Sequence, residues 1–388
     1  GLRGIRTIVR VFMENFPDLL GDEIPSHQTI ENWVELCGLS INNHACSEIR
    51  GDYAIICDES ITIGSQKLLL FLGVPAKHLN RPLRHSDVQP LGIYVSSYWK
   101  AEDIAMKLKQ IIEKIGYDPE YVLSDEGHNL VKATQLAGLK HHKDISHAMG
   151  NMLKHTYQED AEFKALTEEM GKKRLSYHLT DKAYLLQPNM RSICRFMNCF
   201  DWVNWAYRMN HSNALSAEER EAFSFVKEHS DLVDELYDVM NTINYVEKEI
   251  KQHGLSYWIS RKCQHQILHS LILGKQSRRK IVLGTNMISY LLEEAKLLPD
   301  KSTTHQLSSD IIESTFGYFK RRKSPNNLNG VTAFSLIIPA HTKMNIDNNE
   351  EFNFKQALES VSYPDLIHWK KENLLTNWVS IRRKKLVG

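Results

Sequence analysis

Cysteine is scarce in this 388-residue sequence: Cys37, Cys46, Cys57, Cys194, Cys199 and Cys263, with no C-x-x-C pair among them. Scattered through so long a chain, they argue against a disulfide-stapled scaffold and predict reduced thiols in a cytosolic setting. Long apolar runs are missing as well. None approaches the roughly 20 residues a membrane helix requires, which excludes a helical membrane protein and predicts no membrane partner. Neither sign of charge dominates, since 48 Lys and Arg face 47 Asp and Glu for a formal charge of +1. That balance argues against a uniformly basic coat but leaves local patches open. There is no internal repeat and no low-complexity tract. The sequence begins at Gly1 rather than Met, which predicts that the natural start lies upstream, and no signal peptide is visible.

What is present is globular in composition, 42% hydrophobic and 24% charged. The length predicts two or three domains. Positive charge is concentrated at Lys320–Lys323, Arg278–Lys280, Lys172–Arg174 and Arg382–Lys385. Any one such run, taken alone, reads as a solvated face.

The most informative stretch is Tyr53–Ser60. Ala54 to Cys57 is an apolar, β-branched run started by Gly51-Asp52, and it predicts a central strand that ends at or near Asp58. A carboxylate leaving a core strand is costly unless it is paired or holds a cation. Two partners are available: Asp125, closing the apolar run Tyr121–Asp125, and Glu313, inside the helical run Ser309–Lys320. Three hard oxygen donors from two strands and a helix suit one or two Mg²⁺ ions that keep several waters. Among neighbouring acids, Asp52 serves the turn, Glu59 points to the opposite face from Asp58, and Glu126 is solvated. Asp310, three residues before Glu313, is the alternative third ligand.

Along the chain, residues 1–42 read as two short helices, the second starting after Ser26 as N-cap and stopped by Gly38. The polar Gln28 and Asn32 beside apolar Ile30, Trp33 and Val34 give this pair a helix-turn-helix character, with a plain helical hairpin as the alternative. Residues 40–52 read as a linker. Residues 53–146 read as strand-strand-strand-helix-strand-helix-strand, a mixed sheet with helices packed on it. Residues 147–300 form an all-α insertion, with one helix expected over Met190–Met209 and one over Ala217–His229. Residues 301–345 return to the first domain, with Gly330–Ile338 as a short strand or extended segment, and 346–388 form a helical, basic tail. His141, His142, Asp144 and His147 match no closed zinc signature and predict a surface or DNA-facing histidine cluster.

Asp58, Asp125 and Glu313, in this element order and with an all-helical insertion before the glutamate, resemble the DDE transposases of the retroviral-integrase and ribonuclease-H-like superfamily. The resemblance covers about Tyr53 to Lys323. It implies an α/β, ribonuclease-H-like mixed sheet with Asp58, Asp125 and Glu313 as catalytic metal ligands. It also implies Mg²⁺, with Mn²⁺ as substitute: Asp58 and Asp125 sharing one ion and Asp58 and Glu313 another, about 3.5–4 Å apart. Lys320, seven residues after Glu313 and hence on the same helix face, is similar to a phosphate-gripping lysine of insertion-sequence transposases. The arginine and tyrosine that precede the glutamate in that pattern are absent, with Ser309 and Gln306 in their places. Asp125-Glu-Gly-His128 is similar to an aspartate-x-x-histidine motif in which His128 contacts the scissile phosphate; a helix-capping role is the alternative. Trp202 and Trp205 fit an aromatic that stacks on a flipped base, or else belong to a core. Arg321, Arg322 and Lys323, with Gln28 and Asn32, complete the expected DNA contacts.

The implied function is transposition, namely hydrolysis and strand transfer of DNA phosphodiesters by a homodimer or larger assembly on double-stranded transposon ends and target DNA. The implied location is the cytoplasm and nucleoid of a bacterium, or a eukaryotic nucleus. The alternatives are a nuclease of the same fold without strand transfer, and a domesticated DNA-binding descendant.

Overall fold

The computed structural model describes residues 2–15, 24–60, 62–188, 196, 199–274, 277–343, 352–376 and 378–387. The expected helix over Met190–Met209 is therefore described only as Cys199–His211, and Cys194 lies outside the described residues. Two compact units are present, one of residues 1–77, 82–142 and 309–388, the other of 78–81 and 143–308.

The first unit is built on β1 (Tyr53–Glu59), β2 (Lys67–Pro75), β3 (Gln89–Ser96), β4 (Val122–Ser124) and β5 (His141–Lys143). They form one sheet in the order β3-β2-β1-β4-β5. β1 pairs antiparallel with β2 and parallel with β4, so the sheet is mixed, an arrangement compatible with the ribonuclease-H-like expectation. Because side chains alternate along a strand, β1 serves two cores. Ala54 and Ile56 join Leu70, Leu72, Tyr121 and Leu123 on one face, while Tyr53, Ile55 and Cys57 join Leu69, Phe71 and Val122 on the other. The second face is covered by the helices Ala101–Ile115 and His128–Leu136, through Ile104, Leu108 and Ile111 and through Leu130 and Ala133. The first is covered by the helices Asp310–Arg322 and Ile337–Lys343. Each aliphatic side chain sealed here contributes roughly 1.5–3 kcal/mol relative to exposure.

At the N-terminal end of the chain, α1 (Leu2–Asn15) and α2 (His27–His44) belong to this same unit. Ser26 caps α2 as expected, its Oγ accepting from the Thr29 amide at 3.0 Å. Gly38 does not stop the helix, which runs six residues further through the stretch expected to be a linker. Gly38 is instead the point where α2 meets the backbone of Leu336, too close for a Cβ. Counting on in chain order, α3 is Ala101–Ile115 and α4 is His128–Leu136.

The second unit is helical: α5 (Ile145–Tyr157), α6 (Ala161–Tyr177), α7 (Cys199–His211), α8 (Ala217–Ala222), α9 (Ser224–Glu228), α10 (Ser230–His253), α11 (Tyr257–Ile267) and α12 (Arg278–Ala295). A π-helical turn, Leu268–Ile272, extends α11. The single helix expected over Ala217–His229 is broken at Phe223, which turns out of helical geometry and buries its ring. The unit closes on itself: the Ile145 amide donates to the Leu307 carbonyl at 2.9 Å, and Leu255 and His305 exchange backbone hydrogen bonds.

After this unit come α13 (Asp310–Arg322), α14 (Ile337–Lys343), α15 (Phe354–Glu359), α16 (Tyr363–Asn373) and α17 (Trp378–Val387). The extended segment expected over Gly330–Ile338 is a 3-10 turn, Ala333–Leu336, running into α14. Its apolar side chains are buried from successive positions, as a fully enclosed helix allows, and Pro339 falls in the first turn, where no amide is needed. Leu366 and Trp369 of α16 pack with Leu39 and Leu336, so part of the tail is core.

Candidate active site

β1 and β4 align Ile55 with Val122 and Ile56 with Leu123. The same offset, carried two residues on, sets Asp58 beside Asp125, the residue that follows β4. Both lie at the carboxyl ends of parallel neighbours, where open α/β sheets place their ligands. Side-chain alternation turns Asp58 toward the face holding Ile56, which is the face covered by α13, while Asp125 follows just past the end of β4. α13 also contacts β1 directly.

Electrostatics tie these groups together from two sides. The fully buried Cys57 thiol is pushed well above its ordinary range, first by burial and then by the charges of Asp58, Asp125 and Glu59. The Lys320 amine is held below its ordinary value by burial, while Asp58 and Glu313 both pull it back up and Lys323 opposes them. One cation on α13 therefore senses an acid of the strand and an acid of its own helix. The Lys320 stem crosses Phe316, with Nζ 5.4 Å from the ring centroid. Glu313 and Asp310 are both exposed in the first turn of α13, where the helix dipole favours carboxylates.

Asp125 is positioned by its own loop, an Oδ accepting from the Gly127 amide at 2.9 Å. A Cβ on residue 127 would sit 2.7 Å from that oxygen, so glycine is what allows the carboxylate to fold over the turn. The sequence offered Gly127 only as one of 19 glycines. His128 follows as the exposed first residue of α4. Glu59 is paired with Lys67 at 2.7 Å, apart from Asp58.

Among the described residues no group of three or more His, Cys, Asp or Glu is placed to hold a metal ion. The donors that converge by register are the two aspartates, with Glu313 linked to them through Lys320. Their chemistry is all carboxylate oxygen, which suits a hard cation that takes one or two protein carboxylates and completes its shell with water and phosphate.

Beyond Lys320, the end of α13 borders a cleft of about 1170 Å³ whose lining includes Arg3, Tyr318, Arg321, Arg322, Lys323 and Lys370. Gln28 lines it too, and Asn32 accepts from Gln28 at 3.4 Å. The charge of Lys370 is met by buried Glu35 at 2.8 Å, so it is mainly the arginines and Lys323 that make the cleft positive. Arg322 lies 3.6 Å over the Tyr318 ring, which stacks on His341 at 3.5 Å. Burial, then His85, Arg322 and Arg321, lower the His341 pKa to about 4. Arg3, Lys370, Tyr318 and His341 had no signal in sequence, because they come from four separate elements.

Of the two readings open for the tryptophans the core one is met, and the histidine expectation is corrected. Trp202 is 1% exposed in the core of the helical unit, and the Trp205 indole donates to the Leu185 carbonyl at 2.8 Å while packing edge-on against Phe223. The Trp202 ring therefore offers no stacking face, and Trp205 packs against the same core. The histidines are no surface cluster either. His142 is fully buried against Tyr121 with its pKa lowered to about 3 by desolvation, and His141 Nε2 lies 2.8 Å from Ser124 Oγ. Asp144 is the buried N-cap of α5.

No protein-family model matches the chain, and no curated protein is significantly similar to it in sequence. One similar solved structure is the Drosophila P element transposase strand transfer complex, 13% identical over 88% of this chain and 89% of that one, with a TM-score of 0.45. At that level the similarity decides neither fold nor family. No described helix is long and apolar enough to cross a membrane.

Proposed function

We propose that the chain is a DNA phosphoryl transferase of transposase type, with Asp58, Asp125 and Glu313 as its acidic centre. The observation that carries this reading is the shared register of Asp58 and Asp125, on the sheet face where Lys320 is coupled to both Asp58 and Glu313. Acids from distant segments that share a lysine's electrostatic environment, with a basic cleft beyond, suit a polyanionic substrate better than a structural role.

Asp58 and Asp125, with Glu313, would hold Mg²⁺ or Mn²⁺. When bound, the ion supplies Lewis-acid stabilisation of the phosphoryl group and eases deprotonation of the attacking hydroxyl. The remaining work falls to the protein's own groups. The Gly127 amide holds the Asp125 carboxylate, and Lys320, which feels the charges of both Asp58 and Glu313, would offset part of them and reach a phosphate oxygen. Arg321, Arg322 and Lys323 hold the backbone further along, supplying sequence-independent affinity. His128, the exposed first residue of α4, would contact a phosphate. Double-stranded DNA is the proposed partner and a homodimer or larger assembly the proposed working form.

The test is a Mg²⁺-dependent assay on labelled element ends, with Asp58→Asn, Asp125→Asn and Glu313→Gln alongside Asp310→Asn. Cut and joined products that vanish in the first three variants, with circular dichroism unchanged, support the proposal. Cut products alone indicate a nuclease, and binding without cleavage indicates a DNA-binding descendant. Loss in Asp310→Asn but not Glu313→Gln moves the third role to Asp310.

A further inference from the structure

The second unit carries a pair of side chains that the acidic centre does not explain. His265 on α11 and His269 in the π-helical turn that extends it are both exposed, four residues apart in His265-Gln-Ile-Leu-His269. That spacing puts two side chains on one helix face, a turn apart. Their rings meet at 4.2 Å between centroids, inclined at 50°, and the two Nε2 atoms lie 3.0 Å apart. Among the described residues neither ring has another hydrogen-bond or ion-pair partner.

Two nitrogens this close share one electropositive centre. In the neutral pair that centre is a proton, donated by one Nε2 and accepted by the other. A transition-metal ion can take its place and use both lone pairs, imidazole nitrogen being the commonest protein ligand for such ions. The separation then selects the ion. With metal–nitrogen bonds of about 2.0–2.1 Å, nitrogens 3.0 Å apart subtend about 90–100° at the metal, whereas tetrahedral Zn²⁺ needs them about 3.3–3.4 Å apart. A right-angled pair suits the tetragonal or square-planar preference of Cu²⁺ and Ni²⁺.

The surroundings point the same way. No Asp or Glu occurs from Tyr257 to Ile272, so a hard cation such as Mg²⁺ finds no carboxylate on this stretch. The flanking amides are engaged, Gln264 with Ser260 and Gln266 with Ser270, each at 2.9 Å. The preceding cations are held too, Lys262 by Glu249 at 2.9 Å and Arg261 by the Tyr257 hydroxyl at 3.0 Å.

We infer that His265 and His269 form a two-imidazole chelate for Cu²⁺ or Ni²⁺, with water in the remaining coordination positions. Two protein ligands fall short of the three of a catalytic zinc site and the four of a structural one, so the ion exchanges at the surface. The pair does not depend on the proposed function, whose carboxylates take a harder ion.

The full chain, stripped with a chelator and supplied with excess Mg²⁺ to occupy the carboxylates, is titrated calorimetrically with NiCl₂ and with ZnCl₂. One Ni²⁺ equivalent should weaken about ten-fold or more in His265→Ala and in His269→Ala alike, since losing even an outer partner of a metal ligand costs about 10–100-fold. Zn²⁺ should bind the pair more weakly than Ni²⁺. His155→Ala, which removes a different exposed histidine, should leave the Ni²⁺ equivalent unchanged. The replaced side chains are on the surface, so thermal unfolding in chelator should match wild type and serves as the folding control. Identical Ni²⁺ binding in wild type and both variants, a loss in only one of the two, an equal loss in His155→Ala, or tighter Zn²⁺ than Ni²⁺ at the pair would each overturn the inference. A negative cleavage assay removes the enzyme reading and leaves this site standing.

Discussion

Gly38, inside α2, faces the carbonyl of Leu336 so closely that a Cβ would overlap the oxygen. Two opposing effects meet in Gly38→Ala. Alanine favours a helix interior by about 1 kcal/mol, while overpacking against backbone costs about 1–3 kcal/mol or more, since a carbonyl cannot rotate aside as a side chain can. Net destabilisation of about 1–2 kcal/mol is expected, read as a lower urea midpoint with an unchanged m-value. A more stable variant would mean that α2 and the turn before α14 do not touch.

Gly127→Ala separates position from charge at the acidic centre. The new methyl would meet the Asp125 carboxylate 2.7 Å away, and that side chain can move. Stability should therefore change by less than about 1 kcal/mol. The carboxylate is displaced, however, and small misplacements near reacting groups cost about 10²-fold in rate. Cleavage of labelled DNA should fall on that scale while thermal unfolding stays near wild type; full activity would remove Gly127 from the site.

His142 makes stability depend on pH. Its pKa is lowered to about 3 in the fold, against about 6.5 when unfolded. Between those values the unfolded chain binds the extra proton, so stability rises with pH through the window and is lost as pH falls from about 6.5 toward 3. One unit is about 1.4 kcal/mol, which sets a ceiling of about 5 kcal/mol. Urea unfolding from pH 7 to 5 should show this loss in wild type and a clearly flatter profile in His142→Gln. Parallel profiles would place the acid sensitivity elsewhere.

Arg322→Lys should not behave as a conservative change. The guanidinium lies 3.6 Å over Tyr318 and bonds its carbonyl at 3.2 Å, a planar arrangement an ammonium cannot copy. A loss of about 0.5–1 kcal/mol in stability is expected, with little change in the salt dependence of DNA binding because the charge is kept. Arg321→Ala, which deletes a charge, should lower the salt slope by about 1. The two read-outs should separate cleanly.

Much of the first unit was legible because its signals are local and redundant. The apolar run Ala54–Cys57 fixes a strand whichever neighbours it has, and an aspartate at its end stands out against burial. The spacing of Glu313 and Lys320 needs only a helix. The failures share one cause, a residue whose meaning depends on what lies opposite. A glycine that ends a helix and one that admits a crossing backbone read alike, hence the misreading of Gly38. A tryptophan in a periodic helix gives no hint of its surroundings, so sequence leaves Trp202 open between a stacking role and a core one, and folding buries it. The cleft beside α13 was legible only in part: Arg321, Arg322, Lys323 and Gln28 were among the expected contacts, whereas Arg3 and Lys370 become their neighbours only after folding.

The hydrogen bond from Ile145 to Leu307 means that the polypeptide departs and comes back at one spot. The entropy of joining two ends grows only as the logarithm of the intervening length, so what hangs between them is nearly irrelevant to the thermodynamics of closure. The helical bundle is in that sense a cassette. Evolution could lengthen it, trim it or swap it for another without redrawing the path that leads into α13, and an engineer could do the same with a tight turn.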